Sequence, residues 1–166
     1  MYFANASRSY IQHCQLVQNY TGVYVENSRA ITIEKSSATE NRNAGFEFVS
    51  TTSSLVSQSQ ALSTGFGNDS GFDNTVFGFG ASNGQENIFE RCIANNTFAL
   101  STTDFNSLVA GFALRGSESC TTLAHNEASS SMVSTNGTTV AYGIVHEQPF
   151  DQTFTPTAIP FVPAPL

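Results

Sequence analysis

A Gly followed by a short apolar run recurs along this chain of 166 residues, and that recurrence limits the fold more than any other feature. Gly22-Val23-Tyr24-Val25 returns as Gly45-Phe46-Glu47-Phe48, as Gly111-Phe112-Ala113-Leu114 and as Gly143-Ile144-Val145. Val76-Phe77-Gly78-Phe79 reads as the remaining copy, without the leading Gly. Alternation of apolar residues with period two is a strand signature.

A second element precedes each Gly. Ile11-Gln12-His13-Cys14-Gln15-Leu16 aligns with Ile33 to Ala38, Val56 to Ala61, Phe89 to Ala94 and, more loosely, Leu123 to Ala128. Three columns result: Ile11, Ile33, Val56, Phe89 and Leu123; Cys14, Ser36, Ser59, Cys92 and Asn126; Leu16, Ala38, Ala61, Ala94 and Ala128. Size classes repeat within columns, as they must where each side chain packs on its equivalent one repeat away. Asn19, Asn41, Asn95 and Asn96 follow the third column, where a left-handed residue suits a sharp corner. The glycines mark the next corner, where positive φ or a tight approach is needed.

A repeat of roughly two dozen residues carrying two or three short strands cannot bury its apolar face alone, and stacking solves this by parallel pairing. A β-propeller needs a longer repeat, and the Leu pattern of leucine-rich repeats is absent. Charged residues are only 11% of the chain, with six Lys plus Arg, too few for the wet face of long amphipathic helices. The expected fold is all-β: a right-handed parallel β-helix of about five rungs over 9–148. Residues 1–8 form a lead-in and 149–166 an irregular Pro-rich cap or arm.

The succession of Cys or Ser, Ala, Asn and then Gly-Phe resembles the right-handed β-helix repeats of the pectin-lyase-like superfamily, from Ser9 to Glu147. That superfamily includes polysaccharide lyases and hydrolases, phage tailspikes and adhesins. The resemblance therefore implies an architecture and leaves the activity open.

The interval between the third column and the Gly lengthens in the later repeats, across 62–75, 95–110 and 129–142. Insertions at one corner of a coil should lie side by side and make a working face. They carry Phe66, Phe72, Phe98, Phe105 and Tyr142 among Ser, Thr, Asn and Gly, a composition that suits sugar rings or a protein surface. The alternative is that these rings pack beneath their own loops. Asp69, Asp73 and Asp104 could serve as an acid/base pair, could bind calcium, or could be solvated loop tips. The stretch Gly67 to Asp73 is not an EF-hand loop.

The sequence lacks the Asn-Thr-Asp, Asp-Asp, Gly-His-Gly and Arg-Ile-Lys motifs of polygalacturonase-type hydrolases, and none of Arg8, Arg29, Lys35, Arg42, Arg91 and Arg115 shares a column with paired acids, as a calcium-dependent lyase would need. His13, His125 and His146 read as structural or solvated. No Gly-x-Ser-x-Gly elbow, phosphate loop or His-Glu-x-x-His is present. Cys14, Cys92 and Cys120 lack metal spacing and are odd in number, so they read as small buried residues. Thr pairs at 51, 102, 121 and 138 fall in no single column, so no flat Thr array forms. The Asn-x-Ser/Thr sequons at Asn5, Asn19, Asn68, Asn95 and Asn136 are expected by chance in such a composition.

The net charge of −7 and pI of about 4.7 argue against nucleic acid and anionic membrane as partners. No apolar run is long enough to span a bilayer, and Met1 to Arg8 shows no signal peptide. The tail from Pro149 contains Pro156, Pro160, Pro163 and Pro165 with Phe154, Ile159 and Phe161, which ends strand pairing. It could cover the last rung or reach a neighbouring subunit. The open first rung and this tail suggest a homo-oligomer or a longer parent coil. The sequence thus points to a non-enzymatic extracellular, cell-surface or virion module that binds polysaccharide or protein, or serves assembly, without a cofactor. The alternative is a polysaccharide lyase, hydrolase or tailspike-like depolymerase using the loop aspartates, with calcium the alternative cofactor.

Overall fold

A computed structural model describes residues 1–65, 74–101, 107–129, 132–135 and 139–147. The chain winds as a parallel β-helix. Its first turn holds β1 (Tyr2–Ala4), β2 (Tyr10–Gln12) and β3 (Gln15–Val17). The second holds β4 (Thr21–Glu26), β5 (Thr32–Glu34) and β6 (Ser37–Thr39). The third holds β7 (Ala44–Val49), β8 (Leu55–Ser57) and β9 (Gln60–Leu62). The fourth holds β10 (Asn74–Ser82), β11 (Ile88–Glu90), β12 (Ile93–Asn95) and an added β13 (Phe98–Ser101). The fifth holds β14 (Ser107–Arg115), β15 (Thr122–Ala124), β16 (Glu127–Ser129) and β17 (Met132–Thr135); β18 (Thr139–Glu147) opens a sixth.

These strands stack into a long sheet β1-β4-β7-β10-β14-β18 and two narrower sheets, β2-β5-β8-β11-β15 and β3-β6-β9-β12-β16. Every pairing between them is parallel. Because Tyr2–Ala4 pairs with Tyr24–Glu26, the coil already includes β1, ahead of Ser9. Interactions between equivalent positions span 22 or 23 residues in the early turns and 33 or 34 in the later ones. The extra residues lengthen the strands of the long sheet from 6 to 9 residues and add the small parallel sheet β13-β17. The described parts of the insertions therefore do lie side by side at one corner.

The anticipated columns hold in register: Ile11, Ile33, Val56, Phe89 and Leu123 pair in succession, as do Leu16, Ala38, Ala61, Ala94 and Ala128. Phe46, Phe79 and Phe112 stack inside the coil with centroids 4.9 and 5.0 Å apart. That register makes Gly78 the leading Gly of its turn, with Phe79 beneath Phe46. The apolar Val76-Phe77 ahead of it had disguised the match. Phe77 instead lies against Gly80, whose added Cβ would meet the ring at 2.3 Å, and groups with Ala44, Ala110, Ala113 and Val145.

Corners are made by left-handed residues in four columns. They are Asn5, Asn27, Ser50 and Asn83; Arg8, Ala30, Ser53, Glu86 and Cys120; His13, Lys35, Gln58, Arg91 and His125; Gln18, Glu40, Ser63 and Asn96. Asn96 fits the expected Asn corner, but in earlier turns Gln18 and Glu40 take it, one residue before Asn19 and Asn41. A left-handed residue costs about 1–2 kcal/mol without a compensating contact. Here, from Asn5 through Asn96, the N–H of each of these residues reaches a carbonyl one turn on, as Lys35 does to Ser57 O at 3.1 Å and Gln58 to Glu90 O at 3.0 Å. The recurrent glycines do not share this conformation. Gly22, Gly45 and Gly111 are needed for close approach: a Cβ on Gly45 would lie 2.6 Å from Ala61 Cβ and 2.6 Å from Gly78 O.

Small polar side chains take up the remaining corner amides. Ser36 Oγ accepts from Cys14 N (3.2 Å), Ser59 Oγ from Ser36 N (3.2 Å), and Asn126 Oδ1 from Cys92 N (2.8 Å). Asn41 is buried; its Oδ1 accepts from Asn19 N (3.0 Å) and its Nδ2 donates to Leu16 O (3.3 Å). At the positions equivalent to Asn41, Thr64 and Thr97 are fully buried with partnerless hydroxyls.

Two pairs of substitutions separate these effects. Gly45→Ala should lower stability by about 3 kcal/mol through overpacking against backbone. Ala30→Gly should raise it by about 0.5 kcal/mol by relieving a left-handed alanine. Ser59→Ala orphans a buried amide and should cost about 1–3 kcal/mol. Thr64→Val removes an unsatisfied hydroxyl at nearly constant shape and should stabilise by about 1 kcal/mol. Urea unfolding midpoints, compared at constant m-value, measure all four.

Candidate ligand-binding face

Period-two alternation sends Val23 and Val25 inward and Tyr24 and Glu26 outward. The register then builds an external column Tyr2, Tyr24, Glu47, Gly80, Ala113 and Val145 across the long sheet. At its first-turn end, Met1, Tyr2, Tyr20, Thr21, Tyr24 and Glu47 line a shallow depression. Tyr2 and Tyr20 are 62% and 69% exposed. The Tyr2 and Tyr24 rings stack with centroids 5.8 Å apart and an interplanar angle of 16°.

The tyrosines are held by carboxylates. The Tyr2 hydroxyl donates to Glu26 Oε1, and on the neighbouring sheet Tyr10 donates to Glu34 Oε2 at 2.8 Å. These bonds raise both phenol pKa values above the ordinary range. The Tyr24 phenol is also raised, chiefly by burial and then by the charges of Glu47 and Glu26. Glu47 is half-buried; burial raises its carboxyl pKa, while the Arg115 guanidinium pulls it the other way. Arg115 and Glu47 both line a second, very small notch, with Phe77, Gly80 and Ser82. The Met1 ammonium donates to Gly22 O at 2.6 Å. The face offers aromatic surface, phenol donors and carboxylate acceptors.

Of the residues chosen from the sequence, Phe98 and Tyr142 are described, and neither lines this depression. Phe66, Phe72, Phe105, Asp69, Asp73 and Asp104 lie outside the described residues. Phe98 is half-buried on β13, and its carbonyl occupies the place a Cβ on Gly65 would need. Tyr142 is half-buried on β18 against the Ala44, Phe77 and Ala110 cluster. The sequence reading missed Tyr2, Tyr20 and Tyr24. The signal available is Tyr24 at an outward position of the recurrent Gly-Val-Tyr-Val, but Tyr2 falls in the stretch 1–8 that reads as a lead-in.

His13 and His125 share a corner column but are separated by Lys35, Gln58 and Arg91. Cys92 is buried as expected, its thiol pushed up to about 11, mainly by burial. Cys14 is only half-buried, and Cys120 is exposed at a corner, so burial does not describe all three cysteines. Glu118 is a buried carboxylate the sequence did not flag. It accepts from Gly84 N (2.6 Å), Asn87 Nδ2 (3.0 Å) and the Thr121 hydroxyl. With those donors it braces a corner of the coil. Among the described residues, no three His, Cys, Asp or Glu side chains form a metal-binding group, and no helix is long and apolar enough to cross a membrane.

No family model, curated protein or solved structure matches the chain.

Glu47 gives a pH prediction. Its folded pKa lies above the unfolded one, so the folded state holds the proton more tightly. Its contribution to stability is present below the ordinary carboxylate range and is lost as pH rises through the raised folded value. Glu47→Gln should therefore raise the melting temperature at pH 7 relative to the parent, with a smaller difference at pH 4, as read by calorimetry at both values.

Proposed function

We propose that this chain is a non-enzymatic β-helix module that binds carbohydrate through the outer face of the long sheet. The observation that carries the reading is the exposed Tyr2 ring stacked on the half-buried Tyr24, with exposed Tyr20 beside them and Glu26 and Glu47 at the margins. Natural surfaces seldom leave several aromatic rings exposed together without a partner. Rigid rings provide apolar area for sugar C–H faces, and fixed carboxylates accept hydrogen bonds from sugar hydroxyls. The parallel coil suits a polymeric ligand because its side chains recur at the spacing of the strands, about 4.8 Å. The repeat pattern favours kinship with the pectin-lyase-like superfamily, and an extracellular, cell-surface or virion setting agrees with that reading. It requires no cofactor.

The test is retention on a panel of insoluble polysaccharides, with soluble products assayed in the same tubes. Retention of the parent, at least a tenfold loss for Tyr2→Ala/Tyr24→Ala with circular dichroism unchanged, and no released fragments are expected. Retention unaffected by those substitutions would move the contact face elsewhere. Released fragments would replace the binding reading with a depolymerase.

A further inference from the structure

The charge on this face selects among carbohydrates. Resting on the binding reading above, we infer that the depression beside Tyr24 takes a protonated amine, and that the ligand is an amino-sugar polymer with free ammonium groups.

Sheet order places Tyr24 between Tyr2 and Glu47. The Tyr2 ring covers one face of the Tyr24 ring at 5.8 Å. The other face is therefore turned toward the turn that carries Glu47, and Tyr24, Tyr20, Thr21 and Glu47 all border the same depression. A group placed there has a π-face on one side and a carboxylate on the other. An ammonium is attracted by both, through the ring quadrupole and through charge pairing.

Other ligands fare worse at the same place. A neutral ring laid over Tyr24 would remove more water from Glu47, whose carboxylate is already half-buried, without supplying a counter-charge. An acidic polymer would meet Glu47 directly, with Glu26 held nearby by the Tyr2 hydroxyl, on a chain with a net charge of −7. Arg115 acts on Glu47 from the side of Gly80, yet the net effect on that carboxyl is still that of burial. The Met1 ammonium also borders the depression, but it donates to Gly22 O.

The experiment is titration calorimetry of the full chain with two soluble oligomers of equal length, one of glucosamine and one of N-acetylglucosamine, below the pKa of the amine. Hydrolysed and acetylated forms share a ring and differ in charge. The glucosamine oligomer is expected to bind about tenfold more tightly, a difference that shrinks in high salt and disappears in Glu47→Gln, while Tyr24→Ala weakens both. Equal affinities for the two oligomers, or an advantage that persists in Glu47→Gln, overturn the amine site and leave the carbohydrate reading standing. Failure of both oligomers, together with no retention on any polysaccharide of the panel, overturns both. Poly-lysine serves as a third titrant: tighter binding per charge than the glucosamine oligomer overturns the amino sugar in favour of a basic peptide.

Discussion

Hydrogen bonding from one turn to the next at the corners is the constraint on which the rest of the molecule depends. A strand ladder is easily continued between parallel strands, but a coil must also satisfy its backbone where the chain changes direction. Here the left-handed residues from Asn5 through Asn96 aim their N–H groups at the following turn, as Ser53 does to Gln85 O at 3.0 Å. Buried Ser and Asn side chains then accept the amides that this geometry leaves over, as Ser54 Oγ does for Ile31 N at 3.0 Å. The uncharged polar composition is thus partly an interior requirement: the hydroxyl of Ser59 is as much a part of the core as the ring of Phe89.

Glycine and alanine set the internal width. Gly22, Gly45, Gly78 and Gly111 sit so close to the Ala column that no side chain fits between them. This brings the long sheet against the third sheet on one side and leaves the Phe46, Phe79 and Phe112 stack to fill the remainder. Large rings and missing side chains are two halves of one packing solution, repeated over three successive turns.

Much of this was readable in the residues. Ile11, Ile33, Val56, Phe89 and Leu123 declared their column because each packs on its own equivalent, so selection for size acts at a fixed spacing. Gly78 was misaligned because Phe77, also apolar, precedes it, and only the sheet register shows that Phe77 lies outside the coil. The corners were largely illegible. Arg8, Lys35, Glu86 and Arg91 carry no turn signal, and their conformation follows from hydrogen bonds to another turn. The tyrosine face was illegible for a related reason: Tyr2 and Tyr24 become neighbours only through β1, a strand of three residues whose partner lies in the next turn.

The corner columns have one further consequence. None of the left-handed residues is buried, and they include Arg, His, Gln, Lys, Glu, Ser, Asn, Ala and Cys. The backbone conformation at these positions is imposed by the turns above and below, so side-chain identity is left almost free. The coil therefore separates a fixed scaffold problem from a surface that can vary: rows of positions run from turn to turn, at fixed spacing, where charge and hydrogen-bonding character can be rewritten without disturbing the packing inside.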